Sequence, residues 1–163
     1  MKQNFCPTCG TKAIMKEIGD EGEMAFCPTC SRPLWDILTT CIICAVVNEY
    51  GEVALLKQSY VSNANFVCVA GHLKAGESAE DATVREVKEE IGMDVEKLTF
   101  IHTYPYDKKD MLMLGFKADV KKKDFTLSGE VDTAKWVPLE EAPSMLREGG
   151  IAWQLVRTVG GIE

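Results

Sequence analysis

No apolar run in this chain approaches the ~18 residues that a membrane-spanning helix needs, so a membrane partner is not expected. Positive charge is also scarce. Eighteen Lys and Arg face 25 Asp and Glu, a net charge of −7. That balance argues against a general nucleic-acid surface or an anionic-membrane surface. The start, "MKQNFCPTCG", lacks the basic-then-apolar layout of a secretory signal, which makes the cytoplasm the expected compartment. Histidine occurs only twice, at His72 and His102, and neither sits in a pattern that assigns it a role. The scarcity of cations has a chemical consequence. If the substrate carries phosphates, something cationic must be brought to it, and a metal would serve.

What is present suits a soluble globular protein, with 46% hydrophobic and 26% charged residues. A chain of 163 residues allows one ordinary domain, or a small module followed by one. The cysteines are Cys6, Cys9, Cys27, Cys30, Cys41, Cys44 and Cys68. An odd number without a secretory signal favours metal binding and buried thiols over disulfides. The tetrapeptide "CPTC" occurs at 6–9 and again at 27–30. Two such pairs match a four-thiolate zinc ribbon, in which each pair forms a tight knuckle. Residues 1–35 are too few to bury a core alone, so a structural Zn²⁺ would supply the missing stability. Within them Lys2, Lys12, Lys16 and Arg32 balance Glu17, Asp20, Glu21 and Glu23, leaving no basic footprint. Cys41 and Cys44 share the two-residue spacing but lie in the apolar run "TTCIICAVVN". On a strand, positions i and i+3 point to opposite faces, so these two are expected as buried thiols, as is Cys68.

From residue 36 to 163 the texture is that of a second domain. "TTCIICAVVN" and "VALLKQ" read as a hairpin around "EYGE", and "NFVCVAG" as a further buried strand. "LTFIHTY", "MLMLGFKADV" and "TAKWVPL" read as strands, and the chain closes with one or two helices after Leu139. The run "KKKD" at 121–124 reads as a solvated hairpin tip. Helix and strand alternate without strict order, which predicts an α/β fold with a mixed sheet.

The clearest helix is "SAEDATVREVKEEIG", with Ser78 as N-cap and Gly92 as its stop. With Glu86 set at zero and about 100° per residue, Glu90 falls near +40° and Glu89 near −60°. Val84, Val87 and Ile91 fall between about 100° and 160°, the stripe expected to pack on the sheet, with Ala82 on the acidic face. Carboxylates so close repel one another, and the helix dipole at the C-terminal half disfavours them further. Mg²⁺ or Mn²⁺ would offset both effects and would let an acidic protein hold phosphates.

Residues 71–93, "GHLKAGESAEDATVREVKEEIGM", resemble the signature of the Nudix hydrolase family, G-x5-E-x7-R-E-U-x-E-E-x-G-U with U apolar. Gly71, Glu77, Arg85, Glu86, Val87, Glu89, Glu90, Gly92 and Met93 all match. The resemblance implies an α/β/α sandwich, here preceded by a small zinc ribbon. It implies hydrolysis of a nucleoside diphosphate linked to another moiety, with Mg²⁺ or Mn²⁺ as cofactor. Glu86 and Glu90 would be metal ligands, and Glu89 a ligand or the base that activates water. Arg85 and Glu77 would orient the helix, and the Ala70 carbonyl would add a metal contact.

A four-cysteine ribbon before such a domain resembles the NADH pyrophosphatase branch, which also implies a homodimer. "TYPYDKKDMLMLGF" is partly similar to that branch's Ser-Gln-Pro-Trp segment, with Tyr where Gln and Trp are expected. This makes Tyr104 and Tyr106 candidates to stack on a substrate base. "GEVDTAKWVPLEE" resembles another segment of the branch and makes Glu130 the candidate metal ligand from outside the signature. The expected reaction is cleavage of the pyrophosphate of NADH, ADP-ribose or a similar dinucleotide into AMP and a second monophosphate. The alternatives are a nucleotide sugar or nucleoside triphosphate as substrate, or a nucleotide-sensing regulator whose ribbon serves interaction.

Overall fold

The computed structural model describes residues 2–162. It forms two compact units: one runs to Thr39 and takes in Asp107–Asp110, and the other comprises Thr40–Tyr106 and the chain from Met111 onward.

In the first unit, strands β1 (Ile14–Glu17), β2 (Glu23–Cys27) and β3 (Arg32–Pro33) form a small antiparallel sheet. Its buried hydrophobic cluster is Cys6, Cys27 and Leu34. Three such residues cannot offset the ordering of more than thirty, which leaves the cysteine cluster as the staple. The two knuckles repeat in conformation as well as in sequence. Gly10 follows the first at φ +72°, and its N–H donates to the Cys6 carbonyl at 2.9 Å. Ser31 follows the second at φ +50°, accepting a strain that glycine would not feel.

The second unit is built on a sheet of order β7-β8-β4-β5-β9, with β6 also paired to β4. The strands are β4 (Thr39–Asn48), β5 (Glu52–Lys57), β6 (Val69–His72), β7 (Val95–Tyr106), β8 (Met111–Val120) and β9 (Thr133–Pro138). Helix α1 (Ala79–Ile91) covers one face and α2 (Ile151–Gly160) the other. Strand β4 shows why the chain makes a sandwich. Its alternate residues Ile42, Cys44 and Val46 join the core under α1, while Ile43, Ala45 and Val47 join the core under α2. A strand buried on both faces has no polar alternation, hence its unbroken apolar run. The same alternation separates the Cys41 and Cys44 side chains, and both are buried. Burial pushes the Cys44 thiol up and Cys68 up to about 12, so neither offers a thiolate.

Helix α1 is capped at both ends by its own sequence. Ser78 Oγ accepts from the Asp81 N–H at 3.1 Å, and Gly92 turns left-handed at φ +73°. Its buried face differs from the expected stripe. Ala82, Thr83, Val87, Glu90 and Ile91 are buried, whereas Val84 is 43% exposed. The inward face is centred about 60° round from Glu86, close to Glu90 at about 40°, so Val84 at about 160° lies past its edge. Val87 and Ile91 are fully buried and contribute roughly 1.5–3 kcal/mol each.

The 121–124 run is solvated but is not a hairpin tip. Strand β8 pairs with β7, and β9 pairs with β5, so residues 121–132 cross from one part of the sheet to another. Lys122 and Lys123 anchor this connection to Glu52 and Asp94, at 2.6 and 2.8 Å. Among the described residues, no helix is long and apolar enough to cross a membrane.

Candidate active site

Arg85 organises the acidic end of α1. Its Nε and Nη2 donate to the two oxygens of Glu77 at 2.6 and 2.8 Å, a bidentate pair. Glu77 also accepts from the Lys74 N–H at 3.0 Å, and these donors hold its carboxyl down at about 2. Arg85 Nη2 donates to the His72 carbonyl at 3.2 Å, and Nη1 donates to Glu86 at 2.6 Å and Glu89 at 3.0 Å. One guanidinium thus ties the end of β6, the loop before α1 and two of the three glutamates in the C-terminal half of that helix.

Gly71 has a steric reason to be glycine. A Cβ there would stand 2.0 Å from both Cδ and Oε1 of Glu86, so the backbone of β6 lies directly against that carboxylate. Gly71→Ala is therefore expected to displace Glu86, and to lower by about 10²-fold any turnover that depends on the position of that carboxylate, as misplacement of a reacting group does. Steady-state kinetics together with a circular dichroism spectrum check this, because the change lies at a strand end and should leave the fold intact.

Glu90 is only 3% exposed. Its Oε1 accepts from Gln58 Nε2 at 2.8 Å, while Oε2 is buried without a hydrogen-bond partner. Burial, with the negative charges of Glu86 and Glu130, pushes its carboxyl up to about 7, against the opposing hydrogen bond of Gln58.

The 121–132 connection returns over the end of α1. The Thr126 and Ser128 N–H groups donate to the Ile91 and Glu90 carbonyls, each at 3.2 Å, which the helix itself leaves unsatisfied. That brings Glu130 round to Tyr60, whose O–H lies 3.5 Å from Glu130 Oε2.

Gln58 and Tyr60 were not legible as site residues. A glutamine closing the run "VALLKQ" gives only the signal of a polar residue at a strand end. Tyr104 is 6% exposed and belongs to the core beneath α2, its ring against Gly115. This burial overturns the expectation that it stacks on a substrate base. Tyr106, at the end of β7, is half-buried.

Two groups invite metal. The Sγ atoms of Cys6, Cys9, Cys27 and Cys30 all lie within 4.8 Å of one another. The Cys6–Cys30 and Cys9–Cys27 separations are 4.0 and 3.5 Å, close to the ~3.8 Å edge of a tetrahedron with metal–sulfur bonds of about 2.3 Å. The other thiols push Cys30 up to about 12, the mutual disfavour that a divalent cation would remove. Among the described residues this is the one such convergent group, and the α1 carboxylates do not close to that distance. They do fit a hard cation in kind: all-oxygen donors, one of them buried and unpartnered, beside a backbone with no Cβ in the way.

The pattern of the NUDIX domain family matches residues 38–157. The NAD-capped RNA hydrolase NudC of Pseudomonas aeruginosa is 31% identical over 153 residues, covering 93% of this chain and 54% of that protein. The chain spans about half the length of the curated relatives it matches. Among solved structures, a NUDIX hydrolase from Nitrosomonas europaea superposes with a TM-score of 0.69 at 18% identity, covering 96% of this chain and 88% of that one. A C. elegans Ap4A hydrolase superposes with a TM-score of 0.63 at 25% identity, covering 76% and 96%.

Proposed function

From the premise that this chain belongs to the Nudix family, we propose that it hydrolyses the pyrophosphate of a dinucleotide such as NADH or ADP-ribose to AMP and a second monophosphate. In this reading residues 1–35 form the zinc ribbon, held by Cys6, Cys9, Cys27 and Cys30, and 36–163 the hydrolase domain. The observation that carries the reading is the unpartnered Oε2 of buried Glu90, next to Glu86 on the helix face that Gly71 closes. A buried carboxylate oxygen without a donor is costly, and a divalent cation is the simplest group that would repay it.

Glu86, Glu90 and Glu89, with Glu130 and the Ala70 carbonyl, would hold Mg²⁺ or Mn²⁺. When bound, the metal supplies charge stabilisation at the phosphoryl oxygens and acidifies water. Arg85 holds Glu86 and Glu89 in a common orientation through Nη1. Glu89 is 53% exposed and free to meet solvent, which suits it to take the proton of the attacking water. Tyr106 is the remaining aromatic candidate for base stacking. The name of the bacterial relatives adds an RNA ending in NAD to the substrates worth testing.

The test is a panel of NADH, NAD⁺, ADP-ribose, diadenosine polyphosphates, nucleotide sugars and NAD-ended RNA with Mg²⁺ or Mn²⁺, with products identified by mass spectrometry. AMP from a dinucleotide is expected. Turnover of nucleoside triphosphates or sugar nucleotides alone would overturn the dinucleotide reading.

A further inference from the structure

The segment Gln58–Ser59–Tyr60 leaves β5 and touches both elements that carry the site's acids. Gln58 and Glu90 are 4% and 3% exposed, and their side chains meet at 2.8 Å in the interior. The Ser59 N–H donates to Asp132 Oδ2 at 2.7 Å, and Tyr60 O–H points to Glu130 Oε2 at 3.5 Å. The Asp132 N–H donates to the Lys57 carbonyl at 2.8 Å, and the Gln58 carbonyl accepts from Val61 and Ser62 at 2.9 Å each. Three consecutive residues therefore join α1 to the 121–132 connection, and a turn fixes the backbone of the first.

We propose that Gln58 is a positioning residue for the metal centre: its amide holds one oxygen of Glu90 so that the other stays unpartnered for a divalent cation, while Ser59, through Asp132, and Tyr60 hold the segment that carries Glu130. The proposal rests on the metal-dependent reading above. Its chemistry explains why an amide stands here. An Arg or Lys would fix the carboxylate equally well but would add a second positive charge to the one Arg85 already brings to Glu86 and Glu89, leaving less net negative charge for a cation. An aliphatic residue would leave both oxygens of Glu90 unpaired in the interior. A neutral donor fixes geometry and leaves the charge available. Partners of metal ligands commonly govern affinity by 10–100-fold.

The experiment is a titration of metal-free protein with Mn²⁺, reading unbound Mn²⁺ by electron paramagnetic resonance. Gln58→Leu is expected to weaken Mn²⁺ binding by about 10–100-fold. Thr83→Val serves as the control. It removes a buried hydrogen bond of the same helix, to the Ala79 carbonyl, without touching a carboxylate. It should lower thermal stability and leave Mn²⁺ affinity unchanged. Gln58→Asn keeps an amide but shortens its reach, and exposed Tyr60→Phe removes only the hydroxyl. Both are expected to fold and to weaken binding less than Gln58→Leu. Wild-type affinity in a folded Gln58→Leu or Gln58→Asn, or an equal loss in Thr83→Val, overturns the positioning role alone. Failure of the wild type to bind Mn²⁺ overturns the functional reading as well.

Discussion

Glu90→Gln is expected to reduce Mg²⁺-dependent pyrophosphate hydrolysis by about 10³-fold or more while making the metal-free protein more stable. The loss follows from removing the charged donor that the site keeps unpartnered, at a step where charge stabilisation and proton transfer each supply orders of magnitude. The gain follows from burial. A carboxyl raised to about 7 in the native state takes up a proton on folding, since its ordinary value is 4.5. The native state is thus unpenalised below the ordinary value and progressively destabilised as pH rises through the window from about 4.5 to about 7. At pH 8 the penalty is on the order of 1–3 kcal/mol, and a neutral amide of the same shape relieves most of it. Thermal melts of both proteins at pH 5 and pH 8 with chelator check this, since the difference should be present at pH 8 and nearly absent at pH 5. Equal activity of the variant and the wild type would sink the site assignment.

Stripping metal from the cysteine cluster is expected to unfold the N-terminal unit and leave the second unit folded. Structural zinc sites of this kind are worth roughly 10–16 kcal/mol at neutral pH, far beyond what a cluster of Cys6, Cys27 and Leu34 can replace. Trp35 lies in this unit and reports on it by fluorescence. Cys27→Ser should reproduce the effect without chelator, because Cys27 Sγ also accepts the Cys30 N–H at 3.3 Å. Metal analysis of freshly purified, reduced protein should find one zinc per chain. A metal-free preparation with an unchanged amide spectrum for residues 2–35 would overturn the structural role.

The strands of the larger sheet, the helix caps and the cysteine knuckles are legible because their signals are local. Ser78 and Gly92 announce the ends of α1 by their own backbone preferences, and the doubly buried β4 shows as an unbroken apolar run. Where a neighbouring element decides the outcome, local signals fall short. A helical wheel puts Val84 in the packing stripe because it cannot say where the sheet lies, and similarity to a family segment offers Tyr104 to a ligand without saying which face of the strand it reaches. Strand β7 has irregularities of register between Val95 and Lys97 and between Phe100 and His102. The "KKKD" run reads locally as a hairpin tip because strand order, which makes this connection a crossover, depends on long-range pairing.

By itself the sequence determined the family, the reaction class to test and the residues along α1, because a helix converts fixed spacing into a shared face. It also determined the four-thiolate cluster, because a repeated Cys-Pro-Thr-Cys in a short polar segment forms two knuckles, whereas the same spacing in the apolar run of β4 separates its two thiols. Only the tertiary structure decided which glutamate is buried, what holds it and what meets it from outside. Gln58 lies 32 positions from Glu90, and Tyr60 lies 70 from Glu130. No local preference relates residues so far apart. Their meeting is set by the order of strands in the sheet and by the connection that closes over the end of α1.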